Sequence, residues 1–217
     1  MSPRAPDPAV RAALVEAAAR VLAEEGPRGL TVRRLANEVG ASTMVVYTYF
    51  GGMAEVRRAV RREGFALLEE SLDCLTPTDD PVADLAAAGA LYVRHGLTHP
   101  HLYRAMFMDE PVERDPAALG TDAFHRLTRA VRRCVAAGRF EAVEPMMSLG
   151  WAVQLWTMRH GFVSLAITGL LPREHLPLVL TDMTVRLCVG FGDTPATASA
   201  SVHSGMSIVP STEWPDS

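Results

Sequence analysis

Five of the eight residues from Ser42 to Tyr49 carry a hydroxyl (Ser42, Thr43, Tyr47, Thr48, Tyr49), with Met44 and Val45 among them. On a short helix, hydroxyls bond phosphate oxygens and apolar tips touch thymine methyls, so this composition suits the major groove of double-stranded DNA. Val46 and Phe50 are four apart and turn the other way, towards a core. Exposed Met, Val and Tyr would be poor choices for a face that met only water. The alternative is a helical hairpin packed inside an all-α domain.

A second group lies between Trp151 and Phe162. Trp156 and His160 stand one helical turn apart on one face, while Trp151 falls on a different part of the wheel. Gln154 and Met158 lie between them, and Met106 and Phe107 belong to an earlier apolar segment. Adaptable methionines and aromatic rings with a few polar groups suit a small hydrophobic or weakly polar organic effector. Plain packing is the other reading of the same residues, His160 included.

Metal chemistry finds little support. His95, His99 and His101 come closest to ligand spacing, but Pro100 interrupts them and no cysteine or well-placed carboxylate joins. Asp109, Glu110, Glu113 and Asp115 surround Pro111 and read as a solvated loop. No G-x-S-x-G, H-E-x-x-H or Gly-rich phosphate loop occurs, so neither catalysis nor a cofactor is expected. Cys74, Cys134 and Cys188 are odd in number and far apart, which suits a reducing cytoplasm. The most apolar stretch, Met146 to Leu171, is interrupted by Gln154, Arg159 and His160, so no membrane span is expected.

Apolar spacing of three and four predicts a first helix between Pro8 and Gly26, broken by Gly26-Pro27-Arg28-Gly29. Thr31 is placed to cap a second helix from Val32 to Val39, Gly40 supplies the left-handed residue that ends it, and Ser42 is placed to cap a third. Gly51-Gly52 stops the third helix near Tyr49. Ala36, Gly40 and Ser42 together have helix-turn-helix spacing: a small residue for close approach, a glycine for the turn, a serine for the next start. A long helix follows from Met53 to Leu75, then a linker, Thr76 to Pro81, and helices at about 82–98, 100–108, 117–137, 144–169 and 175–190, divided at prolines. Strand-like alternation is absent.

The fold class is therefore all-α. An N-terminal three-helix DNA-binding domain with a helix-turn-helix (1–52) leads through a connecting helix (53–75) to a helical bundle (76–192). Residues 193–217, rich in Ser, Thr, Ala and Pro, read as a flexible tail. Charge follows the same division. All 21 basic residues are arginine; residues 1–62 hold ten of them against six Asp and Glu, a balance of +4, while the remainder stands at −8. A basic head on an acidic body suits DNA binding by the head alone.

These residues resemble the TetR-like bacterial regulators. The likeness runs through Ala18 to Gly26, Leu30 to Ala36, Val39-Gly40-Ala41-Ser42 and the box Tyr47-Thr48-Tyr49-Phe50. It implies that Tyr47 and Tyr49 meet the DNA backbone or adjoining base edges, that Thr43, Met44, Val45 and Thr48 face the groove, and that Val46 and Phe50 are core. Met53 stands where the family commonly has a phosphate-holding lysine, so backbone contacts shift towards Arg33, Arg34 and Arg4 or Arg11. Trp156, His160 and Gly161 are similar to the Trp-His-Gly signature of one C-terminal subfamily. The resemblance implies that the helical bundle (76–192) is a ligand-binding and dimerisation domain, and with it a homodimer joined through the last two long helices, a repressor bound to operator DNA, and release by a small effector. An all-α small-molecule binding protein with weak or lost operator recognition is the alternative, with Met53 as its support.

Overall fold

The computed structural model describes residues 7–108 and 121–208. Ten α-helices and no strand occur among them. Helix α1 (Pro8–Gly29) starts with Asp7, whose carboxylate accepts the Ala9 amide at 2.9 Å, and with Pro8 in the first turn, where a missing N–H costs nothing. It runs three residues beyond the expected stop, because the chain kinks at Gly26 (φ +71°) and resumes helical geometry.

Helices α2 (Val32–Glu38) and α3 (Thr43–Phe50) follow, then α4 (Met53–Asp73). Next come α5 (Pro81–Thr98), α6 (Pro100–Phe107), α7 (Thr121–Ala136), α8 (Pro145–Ile167), α9 (Leu176–Gly190) and α10 (Pro195–Met206). Proline opens α1, α5, α6, α8 and α10, as expected of a residue tolerated only in the first helical turn. The acidic segment around Pro111 lies outside the described residues, as does the reading of 117–120 as helix.

The chain forms two compact units. The first comprises α1–α3, most of α4, and α6; Leu14, Ala18, Leu35, Val46, Phe50 and Leu102 are among its buried apolar side chains. A boundary near residue 76 therefore misassigns α6. The His101 ring lies against Gly26, and Met106 Sδ occupies the space that a side chain at Gly64 would need.

In the second unit α5 is buried on nearly every side, packed by α7, α8 and α10. Trp151 stacks on Phe191 (centroids 4.9 Å apart, planes at 22°), and Phe140 meets both rings edge-on.

The flexible-tail expectation fails for residues 193–208, and its remainder lies outside the described residues. Thr194 caps α10 through the Thr197 amide, and Ala198, Ser201, Val202 and Gly205 bury one small-residue face. A Cβ at Gly205 would meet Ala83 O of α5. Arg139 fastens this helix. It donates to both carboxylate oxygens of Asp193 (2.7 and 3.2 Å), to Asp80 at 3.0 Å and to Ser201 Oγ at 2.9 Å. Asp80 in turn accepts the Val82 and Ala83 amides at the start of α5. Ser/Thr/Ala composition conceals a helix whose stability comes from close packing and one ionic knot.

Candidate nucleic-acid interface and effector site

The turn between α2 and α3 forms as its residue types require. Thr31 Oγ1 accepts the Arg34 amide at 3.2 Å, and Gly40 adopts φ +63°, letting Ala41 N–H reach Ala36 O at 2.9 Å. Gly51, at φ +69°, ends α3 with its amide on Tyr47 O. Ser42 occupies the cap position of α3 but makes no side-chain cap bond; its exposed hydroxyl points elsewhere.

Val46 is fully buried and Phe50 nearly so, which turns Thr43, Met44, Tyr47 and Thr48 outward. Met44 is 66% and Tyr47 49% exposed, and the Tyr47 hydroxyl has no partner among the described residues. Thr48 Oγ1 donates to Met44 O at 2.8 Å, a bond that leaves its lone pairs outward. Val45 and Tyr49 do not share this free face: both pack partly against the core, and Tyr49 Oη accepts the Asp7 amide at 2.9 Å. That bond ties the start of α1 to the end of α3 and leaves Tyr49 only its hydroxyl proton to offer.

The two arginines of α2 differ. Arg33 is exposed and unpaired among the described residues. Arg34 is held by Glu25 at 2.8 Å and by Glu38, which also accepts Arg20 at 2.9 Å. The hydrogen bonds to Glu38 and Glu25 raise the Arg34 pKa, while those from Arg34 and Arg20 lower that of Glu38. In the DNA-free chain Arg34 is therefore engaged by two carboxylates, whereas Arg33 is not. Arg11 stacks over Phe50, 5.1 Å from its centroid; Arg4 lies outside the described residues.

The effector candidates are divided between the units. Met106 and Phe107 belong to the first, where Met106 is 1% exposed and Phe107 packs edge-on to Phe65 at 5.3 Å and against Tyr103 at 4.9 Å. Trp151, Gln154, Trp156, Met158 and His160 belong to the second, and they scatter around α8. Trp151 is enclosed between Phe140 and Phe191 in the core of this unit. Gln154 is exposed, with no hydrogen bond among the described residues, and Met158 packs partly against the core.

Trp156 and His160 do stand together, ring centroids 5.8 Å apart, with Phe124 5.6 Å from Trp156 and Tyr92 Oη 3.3 Å from His160 Nδ1. Burial lowers the His160 pKa, which favours a neutral imidazole. Tyr92 and Phe124 were not singled out from the sequence. Nor was Arg159, which lies on the buried stripe of α8 together with Ser148, Ala152, Leu155, Phe162 and Ala166. The spacing Leu155 to Arg159 was the available signal.

Residues 14–60 match the profile "Bacterial regulatory proteins, tetR family", and residues 85–187 match "Tetracyclin repressor-like, C-terminal domain". An uncharacterised HTH-type transcriptional regulator of Mycobacterium tuberculosis is 28% identical over 83% of this chain and 80% of its own. A protein of unknown function from Rhodococcus sp. RHA1 has a similar fold, with a TM-score of 0.74 and 23% identity over 85% of this chain and 96% of its own. So does RolR in complex with resorcinol, with a TM-score of 0.65 and 19% identity over 90% of this chain and 93% of its own. A helix-turn-helix with an unpartnered outer face, matched by an amino-terminal and a carboxy-terminal profile in the right order, places this chain among the TetR-like DNA-binding transcriptional regulators.

Proposed function

We propose that this regulator is a homodimeric repressor whose α3 helices enter successive major grooves and which leaves its operator when a small organic effector binds the second unit. The observation that carries the reading is the face of α3. Thr43, Met44, Tyr47 and Thr48 are exposed while Val46 and Phe50, on the same eight-residue helix, are buried. The exposed hydroxyls of Ser42 and Tyr47 suit phosphates, Met44 suits a thymine methyl, and Arg33 supplies an unneutralised cation. Fluorescence anisotropy with DNA from upstream of its own gene tests this: salt-sensitive, saturable binding is expected, and equal affinity for any duplex refutes operator recognition.

Two copies read enough sequence where one does not. Met146, Met147, Val153, Leu165, Leu178 and Met183, on α8 and α9, are all at least 38% exposed. Apolar exposure concentrated on two helices is the mark of an interface, and we assign it to a second copy, with the α3 helices roughly 34 Å apart in the DNA-competent state. Light scattering at low micromolar concentration should return twice the chain mass; a monomer with and without DNA refutes it. The aromatic group of Trp156, Phe124, Tyr92 and His160 supports an organic effector, as does the resorcinol bound to RolR.

A further inference from the structure

The cation buried in the second unit has no anion to balance it among the described residues. Arg159 is 4% exposed and lies against Gly89 of α5, where a Cβ would sit 2.5 Å from its Cζ, Nε and Nη2. Glycine at 89 is what makes room for the guanidinium. Among the described residues its single hydrogen bond runs from Nη2 to Leu85 O at 2.9 Å, and Nε is buried with no acceptor. Neither an aspartate nor a glutamate pairs with it there. By contrast, Arg139 in the same unit has both Asp80 and Asp193.

The groups that act on the Arg159 charge are the Cys188 thiol and the Tyr92 phenol, and neither is a carboxylate. Burial pushes the Cys188 thiol up to about 12. Burial likewise pulls Arg159 down to about 10, which still leaves it protonated at neutral pH. An uncompensated buried cation is costly, and natural folds pair such charges. The guanidinium fork accepts a carboxylate through two parallel N–H···O bonds, and Nε with a neighbouring Nη is one such edge.

We propose that Arg159 is the anchor for a carboxylate carried by the effector, between α5 and α8, with the aromatic group on the adjoining flank of α8 receiving the organic body. This rests on the reading of the second unit as effector-binding, and it replaces the expectation of a hydrophobic or weakly polar effector by one of an organic acid. Tyr92, one turn after Gly89 on α5, already joins the two sides: it acts on the Arg159 charge and bonds His160. Seating an acid here has to part α5 from α8.

Thermal shift with matched pairs tests the assignment: benzoate and benzamide, phenylacetate and phenylacetamide, octanoate and octanamide, at one ionic strength and neutral pH. At least one acid should raise the melting temperature saturably, with its amide binding about 10–100-fold more weakly, the worth of charge-assisted hydrogen bonds. Arg159→Met keeps the length and apolar stem. It should melt at or above the wild-type temperature and lose the preference for acids. Amides as effective as acids, no response to any acid, or an acid preference that survives in Arg159→Met overturns the proposal. The acid-to-amide comparison is made on the wild-type protein, so it stands even if the variant does not fold. Operator anisotropy with the same acids tests the underlying reading separately: an acid that binds through Arg159 and leaves the operator complex unchanged refutes induction and not the site.

Discussion

Adjacent residues on α3 should separate folding from recognition. Val46 is fully buried and belongs with Leu35, Ala36 and Phe50 to the core cluster of the first unit. Val46→Ala deletes two methyl groups, worth about 0.8 kcal/mol each in transfer alone, and leaves a void, so a loss of about 2–3 kcal/mol is expected. In a chain of this size that lowers the melting temperature by roughly 4–12 °C. Tyr47, beside it, is half exposed and its hydroxyl has no partner among the described residues. Tyr47→Phe therefore changes stability by no more than about 0.5 kcal/mol. If the hydroxyl donates to a phosphate, its removal weakens operator binding by about tenfold or more per half-site. Differential scanning fluorimetry reads the first effect, and anisotropy with operator DNA, at temperatures where both variants are folded, reads the second. Tyr47→Phe with wild-type affinity would refute the face assigned to DNA, and Val46→Ala with an unchanged melting temperature would refute the packing of α3.

Arg33→Gln should lower the slope of log affinity against log salt by about 0.9 for each phosphate that Arg33 neutralises, whereas Arg34→Gln should leave the slope unchanged and disturb only the link to Glu25 and Glu38, as a salt titration of the two variants will show. Gly40→Ala meets no atom within 4 Å, so its cost is the left-handed backbone alone, about 1–2 kcal/mol in denaturant unfolding. Asp80 links stability to pH. Burial raises its pKa, but the Ser201 hydroxyl, the Ala83 and Val82 amides and the Arg139 charge together hold it below the ordinary value of 3.8. The resulting stabilisation is present above the unfolded pKa and is lost as pH falls through the lower folded pKa. Asp80→Asn should flatten that acid limb in a melting-temperature profile.

The reading head was legible because its grammar is local. Thr31 sits three residues before the amide it caps, Gly40 one turn after Ala36, and Val46 four before Phe50. Each such spacing has one physical solution, and the structure adopts it. Helix starts beyond α4 were legible for the same reason, since Pro100 and Pro145 open α6 and α8. Within the head, local grammar reached its limit at charge and at caps. Glu38 stands one helical turn after Arg34, a local signal that Arg33 lacks, but the second partner of Arg34, Glu25, lies nine residues earlier and across a kink, while Arg33 is unpaired among the described residues.

The body escapes such reading because its decisive contacts are distant in the chain. Trp151 falls on a different part of the wheel from Trp156, but that it is core is visible only once Phe140 and Phe191 close around it. Thr194-Pro195 announces a helix, and Ala198, Ser201, Val202 and Gly205 have the spacing of a buried face, but small residues carry so little apolar weight that only α5 opposite them gives the pattern meaning. Arg159 is the extreme case. Its place four after Leu155 shows that it lies on the buried stripe, and the usual inference is a long side chain reaching back to solvent. Gly89 removes that necessity by opening a space 70 residues away, and nothing in either local sequence reveals the pairing. A helix-turn-helix must present the same geometry to every duplex, so its spacings are constrained and readable. An effector site answers to one ligand, and a single glycine opposite a single arginine is enough to set its chemistry.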